Sequence, residues 1–361
     1  MKYRSTTTIV FLTFLGVILP SFAFAAAPKV AVWVPYWRKA SGTPELHANL
    51  SRVHEISPFS YEVEEDGTIK DTMKLAAEPW VALAASSSAK KIALMPSILW
   101  IDGGAMHRTL SSTSSRKAHV LDILAMVERN KFSGIDIDYE GKRSETRYYF
   151  SQFLKELSQG LTKQKKLLSC TIEARTPPSS LYKIIPKNIE RANDYVAINK
   201  YCDTVRLMTY DQTTADLKLN KSKGDGVFYA PVADTEWVKK VIGETTKTIA
   251  KKKIMLGVAT YGYEYRVDLT DRTDPQYEKL RAVTNKTALE LASTTRSKVF
   301  TNISGEKAFA YTKNGETRFV TWSDAKSVQA KVKLAKQYGL RGVALFKVDG
   351  EGDPAIWNVL Q

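Results

Sequence analysis

The stretch Gly134-Ile135-Asp136-Ile137-Asp138-Tyr139-Glu140 sets three carboxylates at every second position. Side chains alternate along an extended chain, so Asp136, Asp138 and Glu140 share one face while Ile135, Ile137 and Tyr139 share the other. Same-face neighbours stand roughly 6.5 to 7 Å apart. In a site of low dielectric, three full negative charges at that spacing repel, so at least one should hold a proton near neutral pH. A proton kept on Glu140 makes it a general acid, with Asp138 beside it to share or exchange that proton. The plainer alternative is a solvated strand face paired with lysines. Charged residues are seldom buried unless paired or functional, which disfavours it.

Other chemistries find no support. His47, His54, His107 and His119 show none of the close pairings of a zinc site, so no metal is expected. There is no phosphate-binding P-loop, no Rossmann glycine fingerprint and no G-x-S-x-G elbow, and no cofactor is expected. Cys170 and Cys202 are joined or are buried free thiols; their sequence positions leave both open.

The acidic stretch must be carried by a scaffold, and the chain repeats one unit: a short β-rich apolar run, then a longer helical pattern. The strands predicted are Val30–Pro35, Glu55–Tyr61, Ile92–Ser97, Gly134–Tyr139, Leu168–Glu173, Val205–Tyr210, Ile254–Ala259 and Gly342–Lys347. Helices are predicted over Arg116–Arg129, Arg147–Leu161, Glu236–Ala250 and Asp324–Tyr338, each with apolar residues three and four apart. Eight strands alternating with helices point to an α/β fold, a (β/α)₈ TIM barrel, which takes around 250 residues before insertions. In such a barrel the isoleucines suit the helix side. The carboxylates then face the interior, with Glu140 nearest the C-terminal mouth where barrel active sites lie. Between the seventh strand and the last helix, Thr260 to Ser323 is far longer than a βα loop requires. Within it Lys307–Thr312 and Glu316–Trp322 flank Lys313-Asn314-Gly315, a hairpin signal. A small α+β insertion over about 264–322 is expected on the rim.

The 361 residues carry 53 Lys+Arg against 38 Asp+Glu, a net charge of +15, with 43% hydrophobic residues. That composition builds a core and excludes a disordered chain, and no long apolar run follows the first few dozen positions, which excludes a polytopic membrane protein. The excess of positive charge suits a polyanion: nucleic acid, anionic lipid or an acidic cell-wall polymer. At the N-terminus Lys2 and Arg4 precede the apolar run Ile9–Leu19, and Ser21-Phe22-Ala23-Phe24-Ala25-Ala26 offers small residues before a cleavage point after Ala25. An eleven-residue run falls short of the about 20 apolar residues that cross a bilayer. Residues 1–25 therefore read as a secretory signal, and 26–361 as the exported protein. The signal carries two positive charges and no negative one, so +15 becomes +13 after cleavage. Export makes nucleic acid an unsuited partner, and no stable membrane insertion is expected.

Taken together these segments resemble glycoside hydrolase family 18, whose fourth barrel strand carries D-x-x-D-x-D-x-E. The match is Ser133 to Glu140, with Ser133 in place of the first Asp. Met208-Thr209-Tyr210-Asp211 resembles the family's M-x-Y-D, and Leu256 to Tyr263 its L-G-(x)₃-Y-G-Y. Ile56-Ser57-Pro58-Phe59-Ser60-Tyr61, followed by Glu65-Asp66-Gly67, and Trp322 to Ser327 look most like the bacterial branch of spore-germination and cell-wall glycosidases. The resemblance runs along essentially the whole mature chain.

It implies substrate-assisted catalysis, for which this family is a known exception among retaining glycosidases. The substrate's N-acetyl carbonyl would attack the anomeric carbon. Glu140 would protonate the glycosidic oxygen and later activate water. Asp138 would orient the acetamide, Asp136 would modulate Asp138, Tyr210 would hydrogen-bond the reacting carbonyl, and Asp211 would bind a sugar hydroxyl. Met208 belongs to the same sixth-strand motif and is taken as substrate-binding. Tyr36, Trp37, Trp100, Tyr261 and Tyr263 are candidate sugar-stacking residues, although packing is an equal use for each. Phe346 stands where the family usually has the tryptophan floor of the −1 sugar, and Lys347 beside it faces either the mouth or solvent. The expected function is an exported, monomeric hydrolase of β-1,4 bonds after an N-acetylated amino sugar, secreted or in the cell envelope, with peptidoglycan preferred over chitin. The alternatives are a catalytically silent glycan-binding protein on this fold, motivated by Ser133 and Phe346, and a polyanion binder without sugar specificity.

Overall fold

The computed structural model describes residues 28–271 and 275–360. The secretory signal read from residues 1–25 lies outside the described residues.

Eight parallel strands close on themselves: β1 (Lys29–Pro35), β2 (Glu55–Val63), β3 (Ser97–Trp100), β4 (Gly134–Tyr139), β5 (Leu167–Glu173), β6 (Thr204–Met208), β7 (Ile254–Ala259) and, after an excursion, the strand Gly342–Phe346. The last pairs with both β1 and β7, and β1 also pairs with β2, so the ring has no open edge. The protein is a (β/α)₈ TIM barrel. In β4, Ile135, Ile137 and Tyr139 are fully buried against the helical layer, where the Tyr139 ring stacks on Phe153 at 5.4 Å between centroids. That apolar face fixes the strand's rotation and turns Asp136 and Asp138 into the barrel.

Three of the boundaries that differ from expectation have a clear local cause. The predicted third strand, Ile92–Ser97, is instead a short pairing at Ala93–Leu94 and then β3 from Ser97. Pro96 lies between them and has no N–H to give the ladder. The sixth strand stops at Met208, because the chain turns with Thr209 N bonding to Leu207 O, and Asp211 then takes a positive φ of 54°. The helix predicted over Glu236–Ala250 spans Thr235–Thr245. β-branched Thr245 and Thr246 close it, the second bonding back to the Ile242 carbonyl.

Between β7 and the last helix (Ala325–Gln337), a second, antiparallel sheet is formed by β8 (Tyr261–Asp268), β9 (Gln276–Thr284), β10 (Phe300–Thr301), β11 (Lys307–Lys313) and β12 (Glu316–Trp322). Strands β11 and β12 form a two-residue hairpin at Asn314-Gly315, both with positive φ as a type I′ turn requires. The final barrel strand, Gly342–Phe346, is β13. Buried Glu306 ties this sheet to the barrel by accepting Val232 N at 2.9 Å and Ala233 N at 2.8 Å. Cys170 and Cys202 form a disulfide that links β5 to the segment entering β6. Among the described residues no helix is long and apolar enough to cross a membrane.

Candidate active site

Asp136 lies deepest. Its carboxylate accepts Ser97 Oγ at 2.6 Å, Thr171 Oγ1 at 3.0 Å, Trp33 Nε1 at 3.2 Å and Arg206 Nη1 at 3.3 Å. Arg206 is fully buried. It also donates to Ser57 Oγ at 2.6 Å, pairs with Glu55 at 3.3 Å, and lies over the Trp33 ring at 5.0 Å. Glu55 in turn pairs with Arg341 at 2.7 Å. A chain of alternating charge therefore runs from the barrel base to the first carboxylate: Arg341 is part-exposed at its outer end, while Glu55, Arg206 and Asp136 are desolvated but partnered.

One pleat higher, Asp138 is buried and its Oδ1 has no hydrogen-bond partner among the described residues. Burial, then the neighbouring charges of Glu140 and Asp136, push its carboxyl well above the usual range. Glu140 follows at the end of β4. Burial raises its carboxyl as well, with the Glu173 charge next in effect and Lys142 opposing. Gly141, at a φ of +64°, turns the chain away immediately afterwards. The strand thus presents two carboxyls that favour the protonated state, just where proton transfer is needed at the mouth.

The opposite wall comes from β6, β8 and β13. Tyr210 stacks on Phe346, with centroids 5.5 Å apart and planes within 15°. Gly257 makes room for it: a Cβ there would lie 2.9 Å from the Tyr210 ring and 2.2 Å from the Leu207 carbonyl. Burial and the carboxylates Asp138 and Asp211 hold the Tyr210 phenol far above its ordinary value, so its hydroxyl remains a donor. Tyr261 and Tyr263 donate to Asp211 Oδ1 at 3.0 and 2.7 Å. Burial raises the Asp211 carboxyl, and these two bonds oppose the rise. Phe346 meets Trp33, Phe59 and Tyr261 edge-on at 5.9 to 6.1 Å, forming an aromatic floor. Lys347 pairs with Asp349 and lies 6.0 Å from the Tyr261 ring, so its charge is spent within the protein.

Of the residues expected at the site, Met208, Tyr210, Tyr261, Tyr263 and Phe346 share one cluster around Asp211. Tyr36 and Trp37 follow β1 at its mouth end, with Trp37 half exposed and edge-on to Phe59 at 6.0 Å. Trp100 is a correction. It is 1% exposed and packs against Tyr139 and His119 on the helix side, because its register partner is Tyr139 rather than a carboxylate. Its ring cannot reach a sugar. Four residues at the site went unremarked: Trp33, Arg206, Lys142 and Glu173. Glu173 ends β5, accepts Asn193 Nδ2 at 2.6 Å and pairs with Lys142 at 3.4 Å. Two signals were available: Glu173 at the C-terminal end of a predicted strand, and Arg206 as a lone charge within Val205–Leu207. Beyond Asp211, a cavity of about 440 Å³ is lined by Thr213, Tyr265 and Lys279 among others. No group of His, Cys, Asp or Glu among the described residues is arranged to hold a metal.

A (β/α)₈ barrel with graded carboxylates on its fourth strand and aromatic walls at its C-terminal mouth is built for glycoside hydrolysis. The chain belongs to glycosyl hydrolases family 18, whose family model matches residues 21–351. It is 27% identical over 266 residues to the uncharacterized glycosylase YvbX of Bacillus subtilis, covering 72% of this chain and 70% of that one. To the cortical fragment-lytic enzyme of the same organism it is 26% identical over 312 residues, 84% of this chain and 66% of the relative, so it spans about two thirds of that protein. Among solved structures it superposes on a Chromobacterium violaceum chitinase with a TM-score of 0.74 at 19% identity, covering 92% and 98% of the two chains. The Bacillus megaterium spore cortex-lytic enzyme SleL gives 0.73 at 22%, covering 92% and 73%. The fold is common to all; the chemistry follows from the family and the site.

Proposed function

We propose that this glycosidase is exported and hydrolyses β-1,4 bonds that follow an N-acetylated amino sugar, with peptidoglycan preferred over chitin, by retaining, substrate-assisted catalysis. The observation that carries the mechanism is Asp138 Oδ1, a buried, unpartnered acceptor between an ion-paired Asp136 and a proton-retaining Glu140. An orphaned buried polar atom costs stability unless a ligand meets it. The acetamido N–H of an N-acetyl sugar supplies that partner. Held there, the acetamido oxygen attacks the anomeric carbon as Glu140 gives its proton to the departing glycosidic oxygen. The positive charge of the oxazolinium ion faces Asp138, and Tyr210 donates to the reacting carbonyl. Glu140, now a carboxylate, takes a proton from water as that water opens the ring. Asp211 binds a hydroxyl, and Phe346 and Tyr210 floor the sugar.

The preference for peptidoglycan rests on the leader-like N-terminus, the positive charge and the cortex-lytic relatives. The silent glycan-binder drew on Ser133, and that motive weakens: the Ser133 hydroxyl accepts Leu94 N at 3.1 Å, at the far end of β4 from Glu140. The test is incubation of the mature chain with peptidoglycan, chitin oligomers and N-glycans beside Glu140→Gln. The variant should release reducing ends about 10² to 10⁴ times more slowly. The product should keep its anomeric configuration, and a thiazoline mimic should inhibit. Inversion would rule out the acetamide as nucleophile, and binding without turnover by the native chain would replace the hydrolase with a lectin.

A further inference from the structure

At the mouth end several lysines are paired: Lys70 with Glu64, Lys142 with Glu173, Lys223 with Glu236 and Lys347 with Asp349. At the opposite end, where chain segments enter the strands, Lys29, Lys91, Lys131, Lys165, Lys251 and Lys252 are all exposed. None of the six is in an ion pair among the described residues. Backbone bonds from Lys29 N to Arg341 O and from Arg341 N to Lys251 O set three of the strand entries side by side. Carboxylates at this end do little to offset them. Glu55 is turned inward to Arg206 and Arg341, leaving two exposed carboxylates, Glu128 and Asp203, the latter accepting Leu168 N. His54 senses the field: burial lowers its pKa first, and Lys29 next.

Local structure accounts for only half of this ring. Lys91, Lys131 and Lys165 take left-handed φ of 56 to 57° where their helices end, a position that favours glycine, and Gly339 fills it after the last helix. Cations near helix C-termini are favoured by the helix dipole, which offsets that cost for these three. It does nothing for Lys29, which begins a strand, or for Lys251 and Lys252, which lie beyond the helix ending at Thr245.

We propose that the barrel base is a docking face for a carboxylate-bearing glycan, a strand of the wall polymer other than the one in the active site, so that the enzyme stays on its matrix while the mouth remains free. The choice of polymer rests on the proposed function. Lysines are point charges that suit a flexible polyanion. Leu167 is the one large apolar side chain exposed at this end among the described residues, which leaves little to insert into lipid.

The test measures binding of the full mature chain to polygalacturonate at low and high salt. It compares Lys29→Glu/Lys251→Glu/Lys252→Glu with Lys74→Glu/Lys298→Glu/Lys313→Glu, which makes the same charge change elsewhere. The base variant should lose at least about tenfold in affinity, and the control should stay near the native value. Both should keep the native melting temperature and hydrolyse a neutral N-acetylglucosamine oligomer at the native rate. Equal loss in both variants would reduce the effect to net charge and overturn the proposal, as would native binding by the base variant. Tighter binding to anionic vesicles or single-stranded nucleic acid than to polygalacturonate would overturn the choice of partner. Because binding needs no turnover, an inactive native chain would refute the hydrolase reading and leave this result standing.

Discussion

Asp136 and Asp138 stand two residues apart on one strand and face the same interior, but the barrel treats them in opposite ways. Asp136 meets four donors, one of them a buried guanidinium. Asp138 keeps an oxygen with no partner among the described residues. The region beneath Asp136 is organised as structure: each charge there has an ionic partner, although the Nε atoms of Arg206 and Arg341 make no hydrogen bond among the described residues. The region above it leaves hydrogen-bonding capacity unspent, and burial there raises proton affinity instead of being relieved by pairing. A functional carboxylate is thus marked less by where it lies than by what its surroundings withhold.

The comparison breaks most severely at Arg206. Arg206→Met leaves Asp136 and part of Glu55 buried without their counter-charge, and removing one member of a buried pair costs about 3 to 5 kcal/mol. Urea unfolding at pH 7 reads this. A loss below about 1 kcal/mol, the range of a tolerated change in packing, would mean that Arg206 merely fills space.

Asp138→Asn should act in the other direction. The folded pKa of Asp138 lies above its unfolded value, so the unfolded state gives up this proton first. Stability is then lost as pH rises from the unfolded value through the folded one. The Asn variant escapes that loss. Its melting temperature should exceed the native one at pH 8, with the gap closing towards pH 4, while activity collapses. A gap that does not depend on pH would show that ionisation is not the cause.

The smallest effect falls on Glu173, which shapes the mouth without being needed as acid. Its charge raises Glu140, so Glu173→Gln should lower that pKa and also free Lys142 to lower it further. Glu140 must be protonated to act, and the rate falls as pH rises through its pKa. The alkaline limb of kcat against pH should therefore move to lower pH. A limb that stays in place or moves upward would remove Glu173 from the site's electrostatics.

Much of this was legible in the chain. The residues Gly134–Tyr139 form the strand expected, because apolar and acidic residues alternate without a breaker, and the Asn314-Gly315 hairpin follows from its turn residues. The misplaced third strand and the misread Trp100 have one source. Pro96 shifts where pairing resumes, and that shift decides which of Ser97, Ile98, Leu99 and Trp100 face inward. Lys142 and Glu173 escaped notice because each is unremarkable in its own segment and matters only through neighbours on another strand.

The sequence by itself determined the period-two placement of three carboxylates, the repeating strand and helix pattern that makes a barrel, and the total charge. Alternation and composition are local properties and need no partner. Closure of the barrel decided the rest. It brought Arg206 beneath Asp136, left Asp138 Oδ1 unanswered and stacked Tyr210 on Phe346. It also gathered lysines from separate loops onto one end. Proton affinity, aromatic stacking and the field of a charged face all depend on distances between residues far apart in the chain, and folding alone sets those distances.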